Sequence, residues 1–129
     1  MTPAELKRRA EAARECDIEV GGITFHVRVP LPAQWRAMVR SCTAPGGETD
    51  WHAVIERSAL ASVIGWKGVL QKHLDHDMSL EEGSVGVAFD ASLVGPLLEG
   101  NVNVLDALAS RLLDEYTARE KRRADAEKN

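Results

Sequence analysis

Asp17-Ile-Glu-Val-Gly-Gly-Ile-Thr-Phe-His-Val-Arg-Val-Pro30 is the stretch that decides the fold. Its apolar residues Ile18, Val20, Ile23, Phe25, Val27 and Val29 alternate with polar ones around Gly21-Gly22. That is the period of a strand folded about a two-residue turn. The spacing predicts a β-hairpin from about Asp17 to Val29. Its second strand puts Ile23, Phe25, Val27 and Val29 on one face and Thr24, His26 and Arg28 on the other. Pro30 and Pro32 end it, because neither donates a hydrogen bond to a ladder.

Downstream the period changes from two to 3.6. Pro32 is well placed as the first residue of a helix whose Trp35, Met38, Val39 and Cys42 form one apolar stripe. Thr43-Ala-Pro-Gly-Gly-Glu48 is a loop by composition, and Thr49 or Asp50 caps the next helix. There Trp51, Val54, Ile55, Ser58 and Ser62 share a face, and Leu60, Val63 and Ile64 then fill the opposite side. This predicts a helix that enters the core and runs through Ile64, closed by a turn at Gly65-Trp66-Lys67-Gly68. The polar run Gln71 to Gly86, with Leu80 as a weak anchor, reads as a long loop. Asp90 caps a short helical segment, with Phe89 and Val94 spaced as a hydrophobic staple, and Pro96 leaves a choice between one helix and two short turns. Asn101 or Asn103 then caps a last helix with the stripe Leu105, Leu108, Ala109, Leu112, Leu113 and Tyr116.

The whole is expected to be α+β and mainly α, an N-terminal hairpin followed by a small helical domain. At 129 residues the chain suits one core, burying roughly two thirds of the surface that its unfolded form exposes. Residues 17–116 form that domain. Residues 1–16 are a helical arm, started by Thr2, Pro3 and Glu5 but carrying only Leu6 and alanines as apolar content; it is either solvated or docks on a partner. Residues 117–129 are a charged tail, a solvated helical extension or disordered.

Charge narrows the partners. Residues 1–15 carry four basic and three acidic side chains and residues 111–129 six and five, which leaves six and twelve, or −6, for the part between. An acidic body excludes a phosphate-binding face, so neither DNA nor RNA is expected. The basic tail run Arg119 to Arg123 is nearly neutralised by Glu120, Asp125 and Glu127. No apolar run approaches the ~20 residues that span a bilayer, and no leader precedes the arm, so the expected location is the cytoplasm. Cys16 and Cys42 fit neither a metal motif nor a disulfide framework and read as free thiols.

Chemistry is sparse. His73-Leu-Asp-His76-Asp77 is the nearest approach to a metal motif, but further ligands are missing, and it reads as a polar surface loop. Gly83-Ser-Val-Gly86 lacks the strand and helix context of a phosphate loop. No carboxylate sits in an apolar run where burial would raise its pKa, and no nucleophile has a base beside it. The expectation is no catalytic residue, no cofactor, no metal and no enzyme. Trp35 and Trp51 open helical stripes and read as core; Trp66, between two glycines and beside Lys67, fits core or interface equally.

The segments Ile18 to Pro32 (I-x-V-G-G-I-T-F-x-V-R-x-P-x-P) and Val63 to Val69 (V-I-G-W-K-G-V) resemble the small tail assembly chaperones of long-tailed bacteriophages, of the lambda-like minor tail family. The likeness continues through Val87-Ala-Phe-Asp90, Leu97-Leu-Glu99 and the last helix. It implies a non-enzymatic protein that keeps the tape measure protein soluble and recruits tail tube subunits in the host cytoplasm, absent from the mature virion. It also implies the short product of a gene that yields a longer one by frameshifting. Self-association is compatible with such work. The partner surface is then expected among exposed apolar residues at Trp66, Lys67, Val69 and Leu70 or along the hairpin. The alternative is a structural tail or head-tail joining protein retained in the particle.

Overall fold

A computed structural model describes residues 1–128. Helix α1 (Pro3–Ala12) leads into strands β1 (Glu15–Val20) and β2 (Ile23–Arg28). Helices α2 (Pro32–Ser41) and α3 (Trp51–Ser62) come next, then strand β3 (Val63–Lys67). Two single turns, α4 (Gln71–Leu74) and α5 (Leu80–Gly83), a 3-10 turn (Ala91–Leu93) and α6 (Val94–Glu99) lead to the long α7 (Val102–Lys128). The fold is α+β and mainly helical, with a small antiparallel sheet.

The hairpin forms as its alternation predicts. Val20 pairs with Ile23 across Gly21 and Gly22, both at positive φ (58° and 84°), the backbone that a two-residue turn of this hand requires. Ile23, Phe25, Val27 and Val29 are all 2% exposed or less, and Ile18 joins them from β1. Thr24, His26 and Arg28 lie on the other face, where His26 Nδ1 is 2.7 Å from Asp17 Oδ1 and Arg28 Nη2 is 2.8 Å from Glu15 Oε1.

The sheet has a third strand where a helix end and a turn are expected. Helix α3 stops at Ser62, whose hydroxyl donates back to Ser58 O at 2.6 Å and competes with the helical ladder. Val63 turns extended (φ −73°, ψ 121°), and Phe25 pairs with Trp66 and Val27 with Val63. The register shifts between His26 and Val27, so Ile64 falls in a bulge. That bulge breaks the period of two and makes Leu60, Val63 and Ile64 look helical. Only Gly68 remains of the expected turn. Its φ is +83°, and a Cβ there would lie 2.6 Å from Gly22 O, so the end of β3 rests on the hairpin turn.

Helix faces agree with the sequence except at Trp51 and, in part, along α2, whose stripe including Trp35 is half-buried rather than core. Val54, Ser58, Ala59 and Ser62 of α3 and Leu105, Leu108, Ala109 and Leu112 of α7 are buried, together with Val94, Leu97 and Leu98 of α6. These close over the sheet as one core. Trp35 is half-buried and stacks on Tyr116 with ring centroids 5.0 Å apart. Trp51, expected in the core, is 55% exposed, because it is the first residue of α3, beside the Thr43–Asp50 loop rather than under another element. Leu80 anchors nothing and is 89% exposed. Asp50 caps α3, Thr2 caps α1 with Glu5 completing the box, and Asp90 caps the 3-10 turn from which α6 continues through Pro96. Asn101 immediately precedes α7 and binds His73 O and Leu97 O through its side-chain amide. Of the charged tail, 117–128 continue α7 as helix; Asn129 lies outside the described residues.

Two outcomes test this fold. Gly68→Ala should destabilise by at least about 1–3 kcal/mol, the cost of a side chain in left-handed backbone, before its clash with Gly22 is added; urea unfolding measures it. The second concerns the outer face of the sheet. The Asp17 carboxylate, and more weakly Glu15, raises the His26 pKa, and hydrogen bonds from Arg28 and His26 lower that of Glu15. The His26 contribution is complete below its ordinary 6.5 and fades as pH rises through the raised value; the Glu15 contribution is complete above its ordinary 4.5 and fades as pH falls through the lowered one. The stability difference between wild type and His26→Gln should therefore be largest between these two ordinary values and shrink on either side.

Candidate partner-binding site

The four residues expected to meet a partner divide. Trp66 is 8% exposed: its Nε1 donates to Val87 O at 2.9 Å, and its ring meets Phe89 edge-on at 4.9 Å. Val69 is 1% exposed. Both are core, because pairing of Phe25 with Trp66 turns the indole onto the inward face of the sheet. An exposed apolar surface at these two residues is thus corrected to a buried one. Leu70 is half-buried, its N–H donating to His73 Nδ1 at 2.9 Å, and Lys67 is exposed at the end of β3.

The groove lies elsewhere, between the arm and the far half of α7. A cavity of about 530 Å³ opens there, within the range of ligand pockets. Helix α1 presents Lys7, Ala10 and Glu11 to it, with Arg14 following from the turn after its end, and α7 presents Tyr116, Arg119, Glu120 and Arg123. The α7 set has the spacing i, i+3, i+4, i+7 and the three α1 residues the spacing i, i+3, i+4, each one face of a helix. The floor is Val29, Pro30 and Leu31, the last 40% exposed, and Ala10 and Ala13 keep the arm side shallow. A second cavity of about 420 Å³ adjoins it, sharing Glu11, Arg14 and Pro30 and adding Arg28, Met38 and Ile64.

Four hydrogen bonds fix this geometry. Val29 N–H donates to Arg14 O at 2.9 Å, and Arg14 Nε returns a bond to Val29 O at 2.9 Å. Arg14 Nη2 donates to Gln34 Oε1 at 3.0 Å, and Arg119 Nη1 donates to Ala13 O at 2.5 Å. The arm is thereby clamped at its end while α1 buries none of its own residues. It is a solvated helix with a fixed root.

Charge in the groove runs against that of the body. Arg28 is paired with Glu15, Arg123 lies 3.1 Å from Glu120, and Arg119 Nε is 3.7 Å from Glu115, beyond hydrogen-bond distance. Arg14 bonds only to neutral acceptors, and Lys7 has no hydrogen-bond or ion-pair partner among the described residues. Burial, and then the neighbouring Arg28 guanidinium, pull the Arg14 pKa down, with Glu11 opposing them. The Nε atoms of Arg28 and Arg119 are buried without an acceptor among the described residues. Uncompensated guanidinium groups next to apolar floor favour an incoming carboxylate.

Other polar clusters are less developed. His73 is held by its own turn, and burial, Lys72 and His76 lower its pKa, so the imidazole is engaged as an acceptor. His52, Glu56 and Asp106 each bring a ligand atom within 4.8 Å of the others on the surface where α3 meets α7, with His52 Nε2 already 2.8 Å from Glu56 Oε1. His52 and Glu56 stand four residues apart on α3 and so share a face, whereas Asp106 joins them only through the packing of α7 on α3. Sequence reading misses the groove, since the face of α1 carries no apolar periodicity and acquires a floor only through the bonds at Arg14.

No protein-family model, curated protein or solved structure matches this chain.

The burial of Trp66 makes a direct prediction. Trp66→Ala should cost about 3–5 kcal/mol, the range for deleting a buried aromatic side chain, whereas Lys67→Ala should stay within about 0.5 kcal/mol of wild type. Chemical denaturation of the two variants side by side measures the contrast.

Proposed function

We propose that this chain is a non-enzymatic tail assembly chaperone of a long-tailed bacteriophage, which binds the tape measure protein and brings tail tube subunits to it in the host cytoplasm before leaving the assembled particle. The observation that carries the reading is the groove with two helical walls and the floor Val29-Pro30-Leu31. A long helical client exposes apolar stripes until its tube covers them, and a groove with helical walls accepts such a stripe by helix-in-groove contact. The sequence pattern of Ile18–Pro32 and Val63–Val69 supports the same reading from a separate direction. In it, Trp66 and Val69 build the core that carries the groove rather than the groove itself.

Co-expression of this chain with the tape measure protein of the same phage should move the latter from the insoluble to the soluble fraction and yield a complex on affinity capture. Mass spectrometry of purified particles should find no stoichiometric copy of the chain. Stoichiometric presence would instead assign it to the structural proteins of the tail or the head-tail joint.

A further inference from the structure

The chemistry of the groove specifies more than an apolar client. Resting on the chaperone reading, we propose that the groove between α1 and α7 takes a helical segment whose apolar stripe is flanked by carboxylates, with Arg14 as the anchor of the acidic side.

Three observations lead there. The first is shape: the walls are helical faces, i, i+3, i+4, i+7 on α7 and i, i+3, i+4 on α1 with Arg14 at its foot, and such faces pack against the ridges of another helix. The second excludes the alternative of an added strand. Strand addition needs free backbone donors and acceptors, and on the floor the N–H and C=O of Val29 are both taken by Arg14. Pro30 has no N–H to give, and the Leu31 N–H is held by Gln34 Oε1 at 2.9 Å. The floor therefore offers side chains and no ladder.

The third observation is charge complementarity. Arg14 lies where the two cavities meet and spends two of its five N–H donors on neutral acceptors, and Lys7 stands unpaired on the same wall, so that the two cations there outnumber the one carboxylate, Glu11. Opposite them, Glu120 is occupied by Arg123. A carboxylate entering over Arg14 meets a guanidinium with no competing ion pair, while an ammonium in that place meets the repulsion of Arg14 and Lys7, which the single carboxylate of Glu11 offsets only in part. Such complementarity selects partners more than it adds affinity. The part of the chain between its two ends carries a net −6, which disfavours acidic clients there relative to this groove.

The test uses two labelled synthetic peptides of about 18 residues, long enough to hold helix. Both carry a leucine stripe at helical spacing, flanked in one by Glu and in the other by Lys, and fluorescence anisotropy with the full chain reads binding. The Glu peptide should bind at least about tenfold more tightly than the Lys peptide, and Arg14→Glu should remove most of that preference. Arg14 also holds Val29 and Gln34, so Lys7→Glu/Arg123→Glu, which leaves those bonds in place, serves as a second variant, with thermal melts confirming that each is folded. Equal binding of the two peptides, or an unchanged preference in the folded double variant, overturns the proposal. A concentration-dependent dimer in sedimentation that the double variant abolishes, without peptide binding, assigns the groove to a second copy and also overturns it. Tape measure capture that survives the double variant rejects the groove and leaves the chaperone reading intact; variant-sensitive binding of the Glu peptide without tape measure capture supports the groove and rejects that reading.

Discussion

Strand β2 is the element on which the rest depends. Its inward side chains are almost wholly withdrawn from water, and its backbone must find hydrogen-bond partners along both edges. The glycine turn supplies one partner in β1. The other comes from distant sequence, and the need for it overrides the helical pattern of the segment that provides it. An isolated two-stranded hairpin is marginal in water, whereas three strands under a helical layer are not. The exit of the chain from α3 at Ser62 results from that requirement and sets where Trp66, Val69 and the later helices lie.

The same requirement divides what was legible in the sequence from what was not. The hairpin was legible, because alternation and two glycines are local signals. So were the stripe of α7, the caps at Thr2, Asp50 and Asp90, and the polar outer face of β2. The third strand was not: Val63 and Ile64 continue the helical spacing of Leu60, and one bulged residue hides the alternation that would betray a strand. Trp51 misled because a tryptophan that opens a stripe reads as core, while the first turn of this helix has nothing above it. The groove was illegible for a different reason. Its walls come from opposite ends of the chain and are joined by side chains bonding to backbone, which leaves no pattern within either helix.

The two faces of the sheet divide labour. Inward, side chains pack against α3, α6 and α7 to form a single core. Outward, Glu15, Asp17, His26 and Arg28 form a compact ionic row that engages Arg28, while Arg14 nearby bonds only to neutral acceptors. The polarity of the groove is thus partly decided on the far side of the hairpin, because Arg28 reaches the second cavity while its charge is answered by Glu15.

Helix α7 has 27 residues, about 40 Å at the usual rise, but its buried residues end at Leu112. The first half owes its stability to the core. From Lys121 onward every described residue is exposed, so the distal turns rest on helix propensity and i, i+3 and i, i+4 pairs, which contribute only tenths of a kcal/mol each. That end supplies Arg123 to the groove. Occupancy and helix order are consequently linked quantities: whatever fills the groove is held by a wall that it helps to keep helical, and removing it loosens the last turns first.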